Sequence, residues 1–288
     1  MRVVSATQFF CELDLLEIRL ETLDPVVDFF VISESTKTHS GLDKPLYYEQ
    51  NKDRYKKFHH KIIHQIVEET PKNIPECKKL DNIYAEKVIL SDWFDKTEES
   101  YIRDTYEKEV LLRPISEIAN YDDTVLFGDL DEIPRPEAIE LMKRDFDKNA
   151  IYYLKHEMFY YYLNLQKTNE NWIGTLGLSF EKLDKENKSF CEMRTNKSGK
   201  AIYNAGWHMT YMGGVDKIRQ KINSWGEQSL NTPRTHNNLE ENVENCIKYG
   251  RDLFFRPAIW EVRDINDGTF PKYLVENQEK FDHMIYKA

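Results

Sequence analysis

Apolar positions in the first third of the chain alternate between two rhythms. Val3 to Thr7 make a short β-favouring run. In the segment ELDLLEIRLETL that follows, Leu13, Leu16, Leu20 and Leu23 step by three, four and three, which predicts an amphipathic helix with one face on a core. Pro25 ends it. Val26 to Ser33, VVDFFVIS, is then a nearly continuous apolar run, the pattern of a strand covered on both faces. NKDRYKKFHH predicts a basic helix and KIIHQIV a third strand, so the β-α-β-α-β order predicts parallel pairing through right-handed crossovers. From Glu68 to Leu90 the periodicity fades among Pro71, Pro75 and mixed charge, which reads as an insertion. Lys96 to Arg113 regains a helical stripe through Glu99, Arg103, Tyr106 and Val110.

The pattern then converges on residues 123–146, DTVLFGDLDEIPRPEAIELMKRDF. Thr124 to Phe127 predict a buried strand that stops at Gly128. Pro136 opens a helix whose apolar face is Ile139, Met142 and Phe146. Between them Asp129, Asp131 and Glu132 crowd three carboxylates into four positions. Like charges that close repel, so the turn calls for something positive. Beyond it, residues 151–165 (IYYLKHEMFYYYLNL) are dense in tyrosine and β-favouring, and residues 184–200 read as a polar turn region. NAGWHMTYMGGVDKIRQKINSW (204–225) runs from a strand through a double glycine into a helix, and LEENVENCIKYGRDLF predicts one more helix ending near Gly250.

Composition narrows the classes. The 288 residues suffice for a large core, and 40% hydrophobic with 13% aromatic residues argue for a folded globule. A formal net charge of −10 argues against a broad nucleic-acid surface, which needs a basic face. Cys11, Cys77, Cys191 and Cys246 are far apart with no CxxC pair, so reduced structural thiols are expected. The amino terminus is too short and polar for a secretory h-region and no apolar stretch approaches the ~20 residues of a membrane span. A cytoplasmic protein without a membrane-spanning segment is the expectation.

Candidate chemistry centres on the Asp-x-Asp pair. Carboxylates at i and i+2 on an extended turn point the same way and can share a hard cation, Mn²⁺ or Mg²⁺, whose open positions take phosphate oxygens; a solvated turn is the competing reading of Asp129 and Asp131. Glu34, at the carboxyl end of its strand, is placed either to meet a ribose or base hydroxyl or to cap a helix. Arg103 offers a forked donor to a diphosphate or snorkels to Asp104 or Glu107. Trp207 and His208 offer a sugar-stacking face and an acceptor hydrogen bond or third metal ligand, with core and structural roles as alternatives. Asp216 either complements its helix dipole or acts as general base. His39 is expected to be a solvated loop histidine.

ELDLLEIRLETL, VVDFFVISEST with KPLY, FGDLDEIPRPEAI, NAGWHMTYMGGVDKIRQKINSW and YGRDLFFR with FPKYLVEN, in that order, together resemble glycosyltransferase family 17. The resemblance implies an α/β, GT-A-like fold: a mostly parallel central sheet flanked by helices, with residues 1–150 a nucleotide-sugar-binding half and 151–288 an aromatic-rich acceptor-side half, packed as one globule. It implies an inverting transferase that takes UDP-GlcNAc or a similar sugar nucleotide as donor and an oligosaccharide as acceptor, with Asp129 and Asp131 holding the metal at the diphosphate. Where the family pattern has a His and a Glu after the double-glycine helix, WGEQSLN places Glu227 and Ser229, which makes Glu227 a second candidate base. The double glycine with an acid two residues on is also similar to the acceptor-side motif of β-1,4-galactosyltransferases, which favours Asp216. Eukaryotic members carry an amino-terminal anchor; its absence here leads to the expectation of a bacterial or viral relative. A non-catalytic glycan-binding protein and a metal-dependent phosphohydrolase are the rival classes.

Overall fold

Strands β1 (Val3–Gln8), β2 (Phe29–Ser35), β3 (Ile62–Val67), β4 (Thr124–Phe127), β5 (Glu132–Pro134), β6 (Tyr152–Tyr160), β7 (Leu165–Ser179), β8 (Lys200–Thr210) and β9 (Trp260–Val262) join in one sheet. Its order is β3-β2-β1-β4-β7-β6-β8-β5, with β9 on β7. The computed structural model describes residues 1–196 and 198–287. The first four strands in that order are parallel, with Val4 opposite both Phe29 and Val125. Their side chains alternate between two apolar layers. Val3, Phe30, Ile32 and Leu126 pack with Leu16 and Leu20 of the helix Leu13–Leu23, whereas Val4, Ala6, Val31, Val125 and Phe127 pack with Leu111 and Ile115 on the opposite face. That double coverage is why successive residues such as Val3 and Val4, or Phe30, Val31 and Ile32, are all apolar instead of alternating with polar ones.

The carboxyl-terminal half pairs differently. β4–β7, β6–β7, β5–β8 and β7–β9 are antiparallel, and parallel pairing recurs only between β6 and β8 among the described residues. The α/β architecture stands, but the sheet is mixed where a mostly parallel one was expected. The cause is local: only residues 161–164 separate β6 from β7, too few for a crossover, so the two must form a hairpin. One sheet thereby runs through both halves of the chain.

Three segments depart from their sequence reading. The basic stretch after Tyr47 is a short helix, Tyr47–Asn51, that continues as a 3-10 turn, Lys52–Phe58. Residues read as an insertion form two helices, Ile74–Leu80 and Ile83–Leu90, whose N-caps Asn73 and Asn82 accept from the N–H groups of Glu76 and Ala85 at 2.9 and 2.8 Å. The stretch read as a polar turn contains the helix Phe190–Asn196. Ser189 Oγ accepts from the Glu192 N–H at 3.2 Å and Glu192 accepts in return from the Ser189 N–H at 2.8 Å, a reciprocal capping box. All four cysteines are free and buried. Among the described residues no helix is long and apolar enough to cross a membrane.

Candidate active site

The site is built where β4 ends. Gly128 is required there: a Cβ would lie 2.8 Å from Thr175 Oγ1 and 3.0 Å from Glu132 Oε2. The turn that follows is closed by the Glu132 N–H donating to the Asp129 carbonyl at 3.0 Å and the Asp129 N–H donating to Glu132 Oε2 at 2.8 Å. From behind, Arg19 of the first helix, 1% exposed, donates to the carbonyls of Asp129, Leu130 and Glu132 at 3.3, 3.3 and 2.7 Å and to Ser5 Oγ at 3.1 Å. Burial pulls its pKa down to about 10 against the counter-pull of Glu132, Asp131 and Asp129. One guanidinium thus holds the backbone of the acidic turn from behind.

Asp129 and Asp131 both line a cavity of about 430 Å³ at the carboxyl ends of β1 and β4. Every oxygen of the pair faces a nitrogen cation or an imidazole. Asp129 Oδ2 takes Arg194 Nη1 at 3.1 Å and its Oδ1 faces Lys108 Nζ at 3.4 Å; Asp131 Oδ2 takes Lys221 Nζ at 2.6 Å and its Oδ1 faces His208 Nε2 at 3.4 Å. Burial opposes ionisation of Asp129, but Lys108 and Arg194 hold its carboxyl well below the usual range. Lys221, then His208, do the same for Asp131. Glu132 lies deeper, bonded to Arg194 and to the Trp172 indole N–H, and burial raises its pKa.

Aromatic rings line the cavity from Trp172, beside the acidic turn, to Trp225 and Phe254. Trp225 stacks on Phe254 with centroids 5.5 Å apart, Tyr160 stacks on Tyr211 at 5.6 Å, and Trp172 leans on His208 at 5.0 Å. Glu227 also lines the cavity, its Oε2 accepting from Tyr101 Oη at 2.5 Å and its Oε1 from Ser229. The loop 36–44 closes one side, and there His39, expected in solvent, is half-buried, facing Glu107 at 3.3 Å and Asp104 at 3.6 Å.

Four expected site residues lie elsewhere. Glu34 is fully buried and caps the helix Tyr47–Asn51, accepting from the Tyr48 and Glu49 N–H groups at 2.8 and 3.3 Å and facing His64 at 3.1 Å. Arg103 braces the loop instead of a ligand, donating to the His39 carbonyl at 3.1 Å and to Glu99 at 2.7 Å. Trp207 precedes His208 in a strand, so the two must face opposite sides of the sheet; Trp207 is buried with the Arg135 guanidinium 4.1 Å over its ring and its N–H on the Thr269 carbonyl. Asp216 is exposed. Ile218 and Ile222 turn inward from the helix Gly214–Ser224, which leaves Asp216, two residues before Ile218, on the outer side and away from the cavity.

The sequence matches the model of glycosyltransferase family 17 over residues 1–286. The chain belongs to glycosyltransferase family 17. Similar to it are the β-1,4-mannosyl-glycoprotein 4-β-N-acetylglucosaminyltransferases of Homo sapiens and Rattus norvegicus, each 22% identical over 318 aligned positions that take in 99% of this chain and 55% and 54% of theirs. The chain spans about half the length of those relatives. Among solved structures, the galactosyltransferase LgtC is 14% identical over 65% of this chain and 60% of its own, with a TM-score of 0.32. The glycosyltransferase GlyE of Streptococcus pneumoniae is 12% identical over 70% and 45%, also with a TM-score of 0.32.

In this family-17 chain a divalent ion fits the acidic turn by donor type and by charge. Among the described residues no three His, Cys, Asp or Glu side chains enclose an ion by themselves. Two carboxylates completed by phosphate oxygens are, however, the half-site that Mg²⁺ or Mn²⁺ takes. Asp129 Oδ1 is buried and, among the described residues, accepts no hydrogen bond. The cavity lining carries seven carboxylates against five Lys and Arg, so a diphosphate entering alone meets net negative charge.

Lys108, Arg194 and Lys221 are the site residues that the sequence reading passed over. Arg194 reaches the turn on the helix Phe190–Asn196, whose Ser-x-x-Glu capping box at 189–192 was a readable signal. Lys221 shares the Lys217 face of its helix, one turn on. For Lys108 no sequence signal exists, since its burial beside Asp104 at 3.0 Å comes from the packing of the helix Glu99–Val110 against the sheet.

Proposed function

We propose that this chain is an inverting, metal-assisted glycosyltransferase that moves GlcNAc from UDP-GlcNAc to a hydroxyl of an acceptor glycan. The observation that carries the reading is the cavity at the strand ends, whose lining brings an acidic turn paired with cations together with a run of aromatic rings. Asp129 and Asp131 would hold Mn²⁺ or Mg²⁺, which when bound supplies positive charge where the leaving diphosphate becomes more negative. Lys108 and Lys221 flank the same place and serve the phosphate oxygens. Trp172, Trp225 and Phe254 offer faces to the C–H surfaces of sugars. Glu227 takes the proton of the attacking hydroxyl, its carboxylate aimed by Tyr101 and Ser229, and His208 lies within reach of a sugar hydroxyl. The donor sugar follows from the names of the family-17 relatives, which also suggest a mannose-containing glycan as acceptor.

The test is incubation with UDP-GlcNAc, Mn²⁺ and a panel of oligosaccharides, with UDP release and glycosylated product measured together. Equal amounts of both are expected. Release of UMP and GlcNAc 1-phosphate in place of UDP points to a phosphohydrolase, whereas UDP release without product means that water has replaced the acceptor. No calorimetric binding of UDP with Mn²⁺, combined with binding of free glycan, points to a lectin.

A further inference from the structure

Lys221 stands where an ion serving Asp131 would stand. Its Nζ is 2.6 Å from Asp131 Oδ2 and 3.1 Å from Thr210 Oγ1, while His208 faces the other oxygen. Asp131 keeps only 8% of its side chain accessible, so a divalent ion seeking both aspartates meets an ammonium already in place, and two cations cannot share one carboxylate oxygen without strong repulsion. Lys221 is nonetheless built to leave. Its side chain is 23% exposed and lines the open cavity, on a four-carbon stem with freely turning donors. Its helix starts at Gly214 behind the N-cap Gly213, at φ 82° and 89°, a turn that strains no side chain there.

We propose that Lys221 is an exchangeable occupant of the metal position. In the nucleotide-free chain its ammonium neutralises Asp131; when the ion arrives with the sugar nucleotide, the ammonium moves off Asp131 and onto a diphosphate oxygen. No covalent bond changes in this exchange: one carboxylate–ammonium contact is replaced by a carboxylate–metal and an ammonium–phosphate contact. The cavity keeps its charge balance in both states, which its surplus of carboxylates otherwise denies to a diphosphate. Asp129 differs, because its partners Lys108 and Arg194 are held elsewhere as well: Lys108 by Asp104 at 3.0 Å, and Arg194 by Glu132. The second partner of Lys221 is only a neutral hydroxyl, Thr210 Oγ1, so of the three it is the cation least held in place. This inference rests on the nucleotide-sugar reading of the cavity.

The experiment is a titration of Mn²⁺ alone, followed by loss of the free-ion EPR signal, on the wild-type chain, Lys221→Met and Lys221→Arg, followed by UDP binding at saturating Mn²⁺. Lys221→Met is expected to bind Mn²⁺ about tenfold more tightly, because no ammonium need be displaced, and UDP about tenfold more weakly. Lys221→Arg keeps the charge, and with it the fold, but grips the carboxylate with a fork; it is expected to bind Mn²⁺ several-fold more weakly. Opposite shifts in the two variants are the signature that a merely structural lysine does not produce. Equal Mn²⁺ affinity in all three proteins, or weaker binding by Lys221→Met, overturns the proposal. If the wild-type chain holds no Mn²⁺ even with UDP present, the nucleotide-sugar reading falls with it; if it holds both and the variants match it, only the role of Lys221 falls.

Discussion

Lys108 and Glu109 are neighbours on one helix and live in opposite electrostatic surroundings. Lys108 turns into the cavity, where Asp104 and Asp129 outweigh its burial and hold its pKa well above the ordinary value. Glu109 turns the other way, fully buried, with the Phe190 N–H on one oxygen at 2.6 Å and, among the described residues, no hydrogen-bond partner for the other. Burial pushes its carboxyl up to about 7. The contrast teaches what marks a site in this fold. Burial alone does not; Glu109 is more buried than either aspartate of the turn. What marks the site is burial compensated by several cations, which keeps carboxylates ionised and available to a ligand.

The largest expected effect comes from removing the ionised side of that comparison. Asp131→Asn should lower transfer by about 10³-fold with the circular dichroism of the native fold, the order seen when a preorganised charge at a developing anion is lost. A variant within tenfold of wild type would take the acidic turn out of the reaction. Next in size, Arg194→Met leaves Asp129 and Glu132 without their shared guanidinium. A cost of about 3 kcal/mol in unfolding free energy is expected from a broken buried pair, read by urea titration. A loss under about 1 kcal/mol would mean the pair is screened by water.

The same contrast explains what the sequence disclosed. β1 to β4 and the first helix were legible because each is covered on both faces or along one stripe, and coverage writes itself as apolar periodicity. The Asp129–Asp131 pair was legible as three carboxylates crowded after a buried strand. Its partners were not, since Lys108, Arg194 and Lys221 converge from three helices that are distant in the chain, and convergence leaves no local pattern. Glu34 misled for a related reason. A carboxylate at a strand end looks the same whether it meets a ribose or the first turn of the helix Tyr47–Asn51, and only the path of the backbone decides. Trp207 was avoidable, because strand alternation forbids it from joining His208.

The pH dependence of stability sets the two regions directly against each other. Glu109 has its carboxyl raised from 4.5 to about 7, so the native chain binds more protons than the unfolded one between those values and stability from this residue falls as pH rises through that window. The shift corresponds to about 3 kcal/mol. Asp129 and Asp131, both lowered, have the opposite sign: their contribution is present above the unfolded carboxylate pKa and is lost as pH falls. Glu109→Gln isolates the first term. The variant should match wild type near pH 4 and be more stable by up to about 3 kcal/mol near pH 8, measured by denaturant titration at both values. Equal stability at pH 8 would mean that water or an unseen rearrangement solvates Glu109.

The smallest effect separates the two candidate bases. Asp216 sits in the first turn of the helix Gly214–Ser224, exposed and outside the cavity, whereas Glu227 lines it with Tyr101 and Ser229 on its carboxylate. A first-turn acid complements the positive end of the helix, worth about 0.5 kcal/mol at an exposed position. Asp216→Asn should therefore leave kcat within about twofold of wild type and lower the unfolding free energy by no more than that amount, whereas Glu227→Gln should cut kcat about 10²-fold with KM for the donor little changed. If the larger loss falls on Asp216, its helix must turn on the Gly213–Gly214 hinge when ligand binds, and the acidic floor of the cavity would then be assembled only in the complex.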